Sequence, residues 1–358
     1  MVESEINDIR LEKDFKGITF SKFKKTDVKK ELLNSLMKAK IEPACYWSAE
    51  LICAGHYVEL WDIIIFFYTK FIHLGNPKIA IYLELRLNQF KDIVRNGFLG
   101  NEMRLRNNNK IRRMFCEIMC ILCDATRKHS FDNIKISKED FDMTLMTERF
   151  KAPSIKYAEE IYMKDDPKEL FVAINEFAYN ISEDNKNIVS ACYWIEWIIE
   201  FENVCKTKKG KCKCERRVNI HVDSKFQMEI IWMIWDIFLI ESCKKTKIFQ
   251  KIINALLTLF TLKYTTGSHK KRKYILYFIV SMFCENVNVN DEIIRDSQKE
   301  VIGIVIDKID IIYKQIKQNE VSPETDYLFK DVKQSNLEKT IKKLETMNTF
   351  GETFIPRI

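Results

Sequence analysis

The tetrapeptide Ala-Cys-Tyr-Trp occurs twice, at Ala44–Trp47 and at Ala191–Trp194, and each copy sits in the same series of neighbouring segments. "KELL" at Lys30–Leu33 and "KELF" at Lys168–Phe171 come before. "LWDIII" at Leu60–Ile65 and "IWDIFL" at Ile234–Leu239 come after. "NPKIAIYLELRL" from Asn76 and "KTKIFQKIINALL" from Lys245 are a weaker pair. "KIRRMFCEIMCILCD" at Lys110–Asp124 and "KRKYILYFIVSMFCE" at Lys271–Glu285 close the series. Each piece has helical length and an apolar spacing of three to four residues. The expected fold is therefore all-α, a tandem duplication of a roughly five-helix unit.

The composition agrees with helices. The chain of 358 residues contains only 9 Gly and 6 Pro, too few for a turn-rich β fold, and 46% of it is hydrophobic. The formal net charge is +7, mildly basic, which permits an anionic partner without demanding one. Several of the 11 cysteines (Cys45, Cys53, Cys116, Cys120 and Cys123) fall in apolar helical runs and read as buried free thiols in a reducing compartment. The N-terminal stretch has no secretory apolar region, and Tyr274–Cys284 is about half as long as a membrane crossing needs. The expectation is a cytoplasmic chain without a membrane partner.

The repeated tryptophans Trp47, Trp61, Trp194 and Trp235 are expected to brace helix pairs. Trp197 and Trp232 are extra in the second copy, each three residues from a repeated Trp. They are candidates for a protein-binding surface. So are Phe350 and Phe354 in the tail. The copies differ most between their tryptophans: Trp47 to Trp61 is 14 positions and Trp194 to Trp235 is 41. The added stretch, 203–226, carries Lys206, Lys208, Lys209, Lys211, Lys213, Arg216 and Arg217. It reads as a basic, Cys-containing insertion, a β-hairpin by its alternating pattern, able to hold phosphate groups. Cys205, Cys212, Cys214 and His221 offer a zinc-type ligand set, although no C-x2-C knuckle is present. No other cofactor is indicated.

Basic clusters open the last helix of each copy: Arg112 and Arg113, with Arg104, Arg106 and Lys110, in the first; Lys270, Lys271, Arg272 and Lys273, with His269, in the second. Cations oppose the helix dipole there, so an anionic ligand is one reason for them and a solvated loop another. Asp165–Asp166 reads as helix-start charge and Asp140 as a residue of a solvated helix. The domain organisation expected is a loosely ordered arm (1–26), a first helical repeat (27–150), a linker (151–163), a second repeat with its insertion (164–330), and a C-terminal helix and tail (331–358).

No phosphate loop, dinucleotide fingerprint, zinc-protease helix or nucleophile elbow occurs, and the five histidines are scattered, so no catalytic residue is nominated. The segments Cys192–Glu202, Cys212–Arg217 and Ile230–Leu239 resemble an all-helical protein family of large cytoplasmic DNA viruses. That resemblance implies a setting, infected cytoplasm or virion, and no activity. The function expected is a non-enzymatic scaffold or adaptor that binds a protein partner within a nucleoprotein assembly. The alternative is direct nucleic-acid binding through the insertion and the basic helix starts. The sequence leaves the oligomeric state open.

Overall fold

A computed structural model describes residues 4–207 and 212–321; Lys208, Lys209, Lys211, Phe350, Phe354 and the expected C-terminal helix lie outside the described residues. The described residues fall in two compact units, 4–6 with 11–319, and 7–10 with 320–321. In the smaller unit, Ile9 donates its N–H to Val321 O at 3.2 Å. The Asp8 carboxylate accepts from Val321 N at 2.8 Å and from Arg10 Nε at 2.9 Å.

The larger unit is all-α. In chain order its helices are α1 (Lys25–Met37), α2 (Ile41–Cys53), α3 (Tyr57–Phe67), α4 (Ile79–Arg95), α5 (Asn109–Asp124), α6 (Met143–Met146), α7 (Phe171–Ile181), α8 (Ile188–Thr207), α9 (Ile231–Cys243), α10 (Lys247–Phe260), α11 (Ser268–Lys271), α12 (Lys273–Cys284), α13 (Asp296–Asp307) and α14 (Asp310–Lys317). Among the described residues there is no β-strand.

Local chemistry accounts for the helices. The Asn108 side chain caps α5 by accepting from Lys110 N at 2.9 Å and Ile111 N at 3.3 Å. Ile111, Phe115, Ile118 and Leu122 then bury one face, while Lys110, Arg113 and Glu117 occupy the other. Thr246 caps α10 in the same way, and Phe249, Ile252, Ile253, Leu256 and Leu259 face the core. Burying each such side chain is worth about 1.5–3 kcal/mol.

The same packing order occurs in both halves. α2 packs on α1, α3 and α5; α8 packs on α7, α9 and α12. Helices α4 and α10 pack against each other, with Thr258 donating to Glu84 Oε1 at 2.7 Å. The tryptophans brace these layers. Trp61 sits 5.5 Å from Phe115 and 6.2 Å from Phe90; Trp235 sits 5.2 Å from Phe260 and 5.8 Å from Phe238. Trp194 is buried and Trp47 half-buried, its ring edge-on to Phe23 at 5.5 Å.

Several expectations are corrected here. Part of the expected arm is packed: Phe15 and Phe20 are fully buried and stack at 6.0 Å. The described part of the insertion is not a β-hairpin. After α8 ends at Thr207, residues 212–230 run as coil and turns with one 3-10 turn at Ser224–Phe226, and Cys214 N donates to Met228 O and Arg217 N to Gln227 O, both at 3.0 Å. The alternation fails because Cys214 and Arg217 both turn inward. α13 and α14, which the sequence places in the second repeat, pack on α5 and α2 of the first half. Of the cysteines, Cys243 is exposed, Cys205, Cys212 and Cys284 are half-buried, and the others are buried.

Candidate anion-binding site

The basic residues separate into internal braces and surface cations. Arg217, expected to meet phosphate, has no exposed side-chain surface. Its NH1 lies 2.6 Å from Asp166 Oδ1 and its Nε lies 2.8 Å from Asp236 Oδ2. Asp166 is therefore an ion-pair partner and not a helix-start charge. Burial raises the Asp166 carboxyl, but the Arg217 hydrogen bonds win and hold it below the ordinary range. Burial pushes the Asp236 carboxyl up despite the same arginine.

Arg272 is likewise turned inward. It binds Asp62 Oδ1 at 2.7 Å and the carbonyls of Phe260 and Leu262 at 2.8 and 2.6 Å. Arg112 donates to Asp310 Oδ1 at 2.8 Å, Ser4 Oγ at 3.0 Å and Arg106 O at 2.7 Å. A buried guanidinium satisfied by carboxylates and carbonyls is a brace and has no donor to offer a ligand. Lys273 pairs with Glu196 at 2.8 Å and Arg113 with Asp307 at 3.0 Å. The anion-binding assignment of Arg112, Arg217 and Arg272 is thus wrong, and Lys273 and Arg113 are already paired.

The two other residue sets are also corrected. Trp197 and Trp232 are buried, with their indole N–H groups donating to Asp140 O at 2.7 Å and Phe226 O at 2.6 Å, so neither forms a surface hot spot. Asp140 is held by Tyr193 OH at 2.9 Å and Ser137 Oγ at 2.8 Å, not left to solvent. Cys205, Cys212, Cys214 and His221 do not converge as a metal set. The Cys214 thiol points at Glu229 O, 3.2 Å away, and His221 is exposed.

Lys206, Lys213, Arg216, Lys270 and Lys271 remain on the surface. Lys206 and Lys213, joined by Lys225, rim an open pocket of about 380 Å³ between the end of α8 and the coil that follows. Lys270 reaches the same helix end, its Nζ 2.9 Å from Asn203 Oδ1. Lys271 lies toward α1, where burial lowers Lys29 and repulsion from Lys25 and Lys271 works in the same direction against the pull of Glu59. Phe226, Met228 and Cys212 supply apolar lining.

Two carboxylates, Glu202 and Glu229, also line this pocket. Glu202 holds Lys206 at 2.9 Å, and Tyr264 OH donates to Glu229 Oε2 at 2.6 Å. Between them lies buried His269, its Nε2 3.7 Å from Glu202 and its Nδ1 3.8 Å from Glu229, with no hydrogen bond to either ring nitrogen. The arrangement has a cationic rim and an acidic, partly apolar floor. Sequence reading saw Lys206, Lys213 and Lys270 and took His269 as one more helix-start cation. It missed Lys225, Glu202, Glu229 and Tyr264, because residues drawn from a helix, a coil and a turn form no motif.

Comparison of the chain with known protein families, with curated proteins and with solved structures finds no match. No helix among the described residues is long and apolar enough to cross a membrane.

Proposed function

We propose that this chain is a non-enzymatic helical scaffold that binds single-stranded nucleic acid at the lysine-rimmed pocket. One observation carries the reading: Lys206, Lys213 and Lys225 line a pocket whose floor is acidic and apolar, and Lys270 stands beside it at the end of α8. Lysines at the rim donate to phosphate oxygens and follow a backbone. An acidic floor repels phosphate, so the phosphate stays at the rim and an unpaired base faces inward. There Phe226 offers a ring, and the carboxylates accept from amino groups on a base edge. In a duplex those edges are paired, which favours the single strand.

The recurring helix order supports a duplicated five-helix framework, with the 203–226 stretch as the addition that distinguishes the second copy. The test is anisotropy of labelled single-stranded and duplex oligonucleotides at two salt concentrations. Tighter binding of the single strand, lost in the triple variant Lys213→Glu, Lys225→Glu, Lys270→Glu, is the expected result. Unchanged binding in that variant, or none in the wild type, sinks the proposal. Arg217 is left intact in this test because reversing a buried charge would unfold the site.

A second reading, an adaptor for a protein partner, keeps one observation. Val301 and Ile304 stand exposed three residues apart on α13, where they present one apolar face. A pull-down with and without nuclease separates the two readings. Partners that survive nuclease favour the adaptor.

A further inference from the structure

The core of the first half holds a cluster of sulfur atoms that neither reading uses. Cys116 and Cys120 lie one turn apart on α5 and face Cys45 on α2. Cys45 Sγ is 3.8 Å from Cys116 Sγ, and all three sulfurs lie within 4.8 Å of one another. Exposure of the three residues is 2%, 2% and 0%. A trigonal thiolate site with bonds of about 2.3 Å needs its sulfurs about 4 Å apart, so this spacing already suits an ion at the centre.

Packing alone does not require sulfur here. In the aligned second-copy segments, Cys45, Cys116 and Cys120 match Cys192, Tyr277 and Ser281. The matching helix pair, α8 and α12, packs with no group of three thiols among the described residues. There Tyr277 donates to Glu196 Oε1 at 2.6 Å. The three sulfurs are a property of the first half only.

We propose that Cys45, Cys116 and Cys120 form a three-coordinate site for a soft, monovalent d10 metal ion, with copper(I) as its representative. Among the described residues no fourth His, Cys, Asp or Glu joins the cluster, and solvent barely reaches it. Structural zinc sites are almost always four-coordinate, so a dry set of three sulfurs disfavours zinc, whereas thiolates select copper(I). When a monovalent ion enters and one thiol proton leaves to solvent, the net buried charge stays as it was.

The test is an anaerobic titration of the reduced full-length chain with copper(I) held by a chromogenic chelator. X-ray absorption reports the ligands, and circular dichroism confirms the fold of each variant. The expected result is one tightly held copper bound only by sulfur at about 2.3 Å. That copper should be lost in Cys120→Ala and in Cys116→Ala, and kept in Cys205→Ala with Cys212→Ala. Copper retained in the two core variants overturns the assignment, as does preferential loading of zinc by the wild type. Should the core variants fail to fold, thermal melting of the wild type decides. A melting temperature raised by copper(I) and not by zinc supports the site, and one unmoved by copper(I) overturns it.

Discussion

The guanidinium of Arg217 is wedged between Asp166 and Asp236 with no side-chain exposure, while its neighbour Arg216 is exposed. Replacing Arg217 by Leu leaves two carboxylates buried without a counter-charge. The expected cost is about 3–5 kcal/mol, read as a shift of the urea midpoint, while Arg216→Leu should move it little. Asp166 gives this brace a pH limit. Its folded pKa lies below its unfolded one, so its contribution is present above the unfolded value near 3.8 and is lost as pH falls through the folded value.

A second titration acts at higher pH. His73 is buried, its Nε2–H donates to His129 O at 2.7 Å, and Nδ1 has no partner. Burial, with repulsion from His129 and Lys128, pushes this imidazole down to about 4. The neutral form is the folded form, and the unfolded chain binds the proton more readily between about pH 6.5 and 4. Its stabilisation is therefore full above about 6.5 and lost as pH falls through that window, by at most about 3 kcal/mol. His73→Asn, which tolerates the positive φ of 31° at this position, should flatten the dependence of the thermal midpoint on pH between 7 and 4.5.

Among the elements, the turn after α3 is closely packed. Gly75 passes so close to the chain leaving α5 that a Cβ there would overlap the carbonyl of Thr126, while Lys128 N donates to Phe71 O at 2.9 Å alongside. Gly75→Ala should cost about 1–3 kcal/mol by forcing the two segments apart, visible as a lowered melting temperature. The long helices were legible because their apolar residues recur with the helical period, as in α5 and α10. What the sequence hid were partners far apart in it. Arg272 and Asp62 are an example: a charge beside a helix start looks solvent-bound until a distant carboxylate is folded against it. The candidate site was half legible for the same reason. Lys206 and Lys213 fall in one basic stretch of chain, whereas Glu202, Glu229, Tyr264 and His269 come from separate places and meet only in the fold.

At the scale of the whole molecule, the halves share their core. Arg272 at the start of α12 is anchored to Asp62 of α3, α4 packs on α10, and α13 packs back on α5. Neither half buries its apolar faces alone, so calorimetry of the full chain should give one cooperative transition for the helical unit, and residues 1–150 expressed alone should not fold. The lysine rim should act over the same scale. Contacts from Lys213, Lys225 and Lys270, the rim cations that Glu202 does not hold, predict a slope of about −2 in log affinity against log salt, and each Lys→Glu change should reduce it by about one contact.

The uneven burial of the thiols has a practical side. Cys243 is the exposed cysteine of the eleven, standing at the end of α9 away from the sulfur cluster. A maleimide dye added briefly to the native, reduced protein should therefore mark one address, giving a fluorescent reporter for the oligonucleotide and copper titrations without any engineered residue.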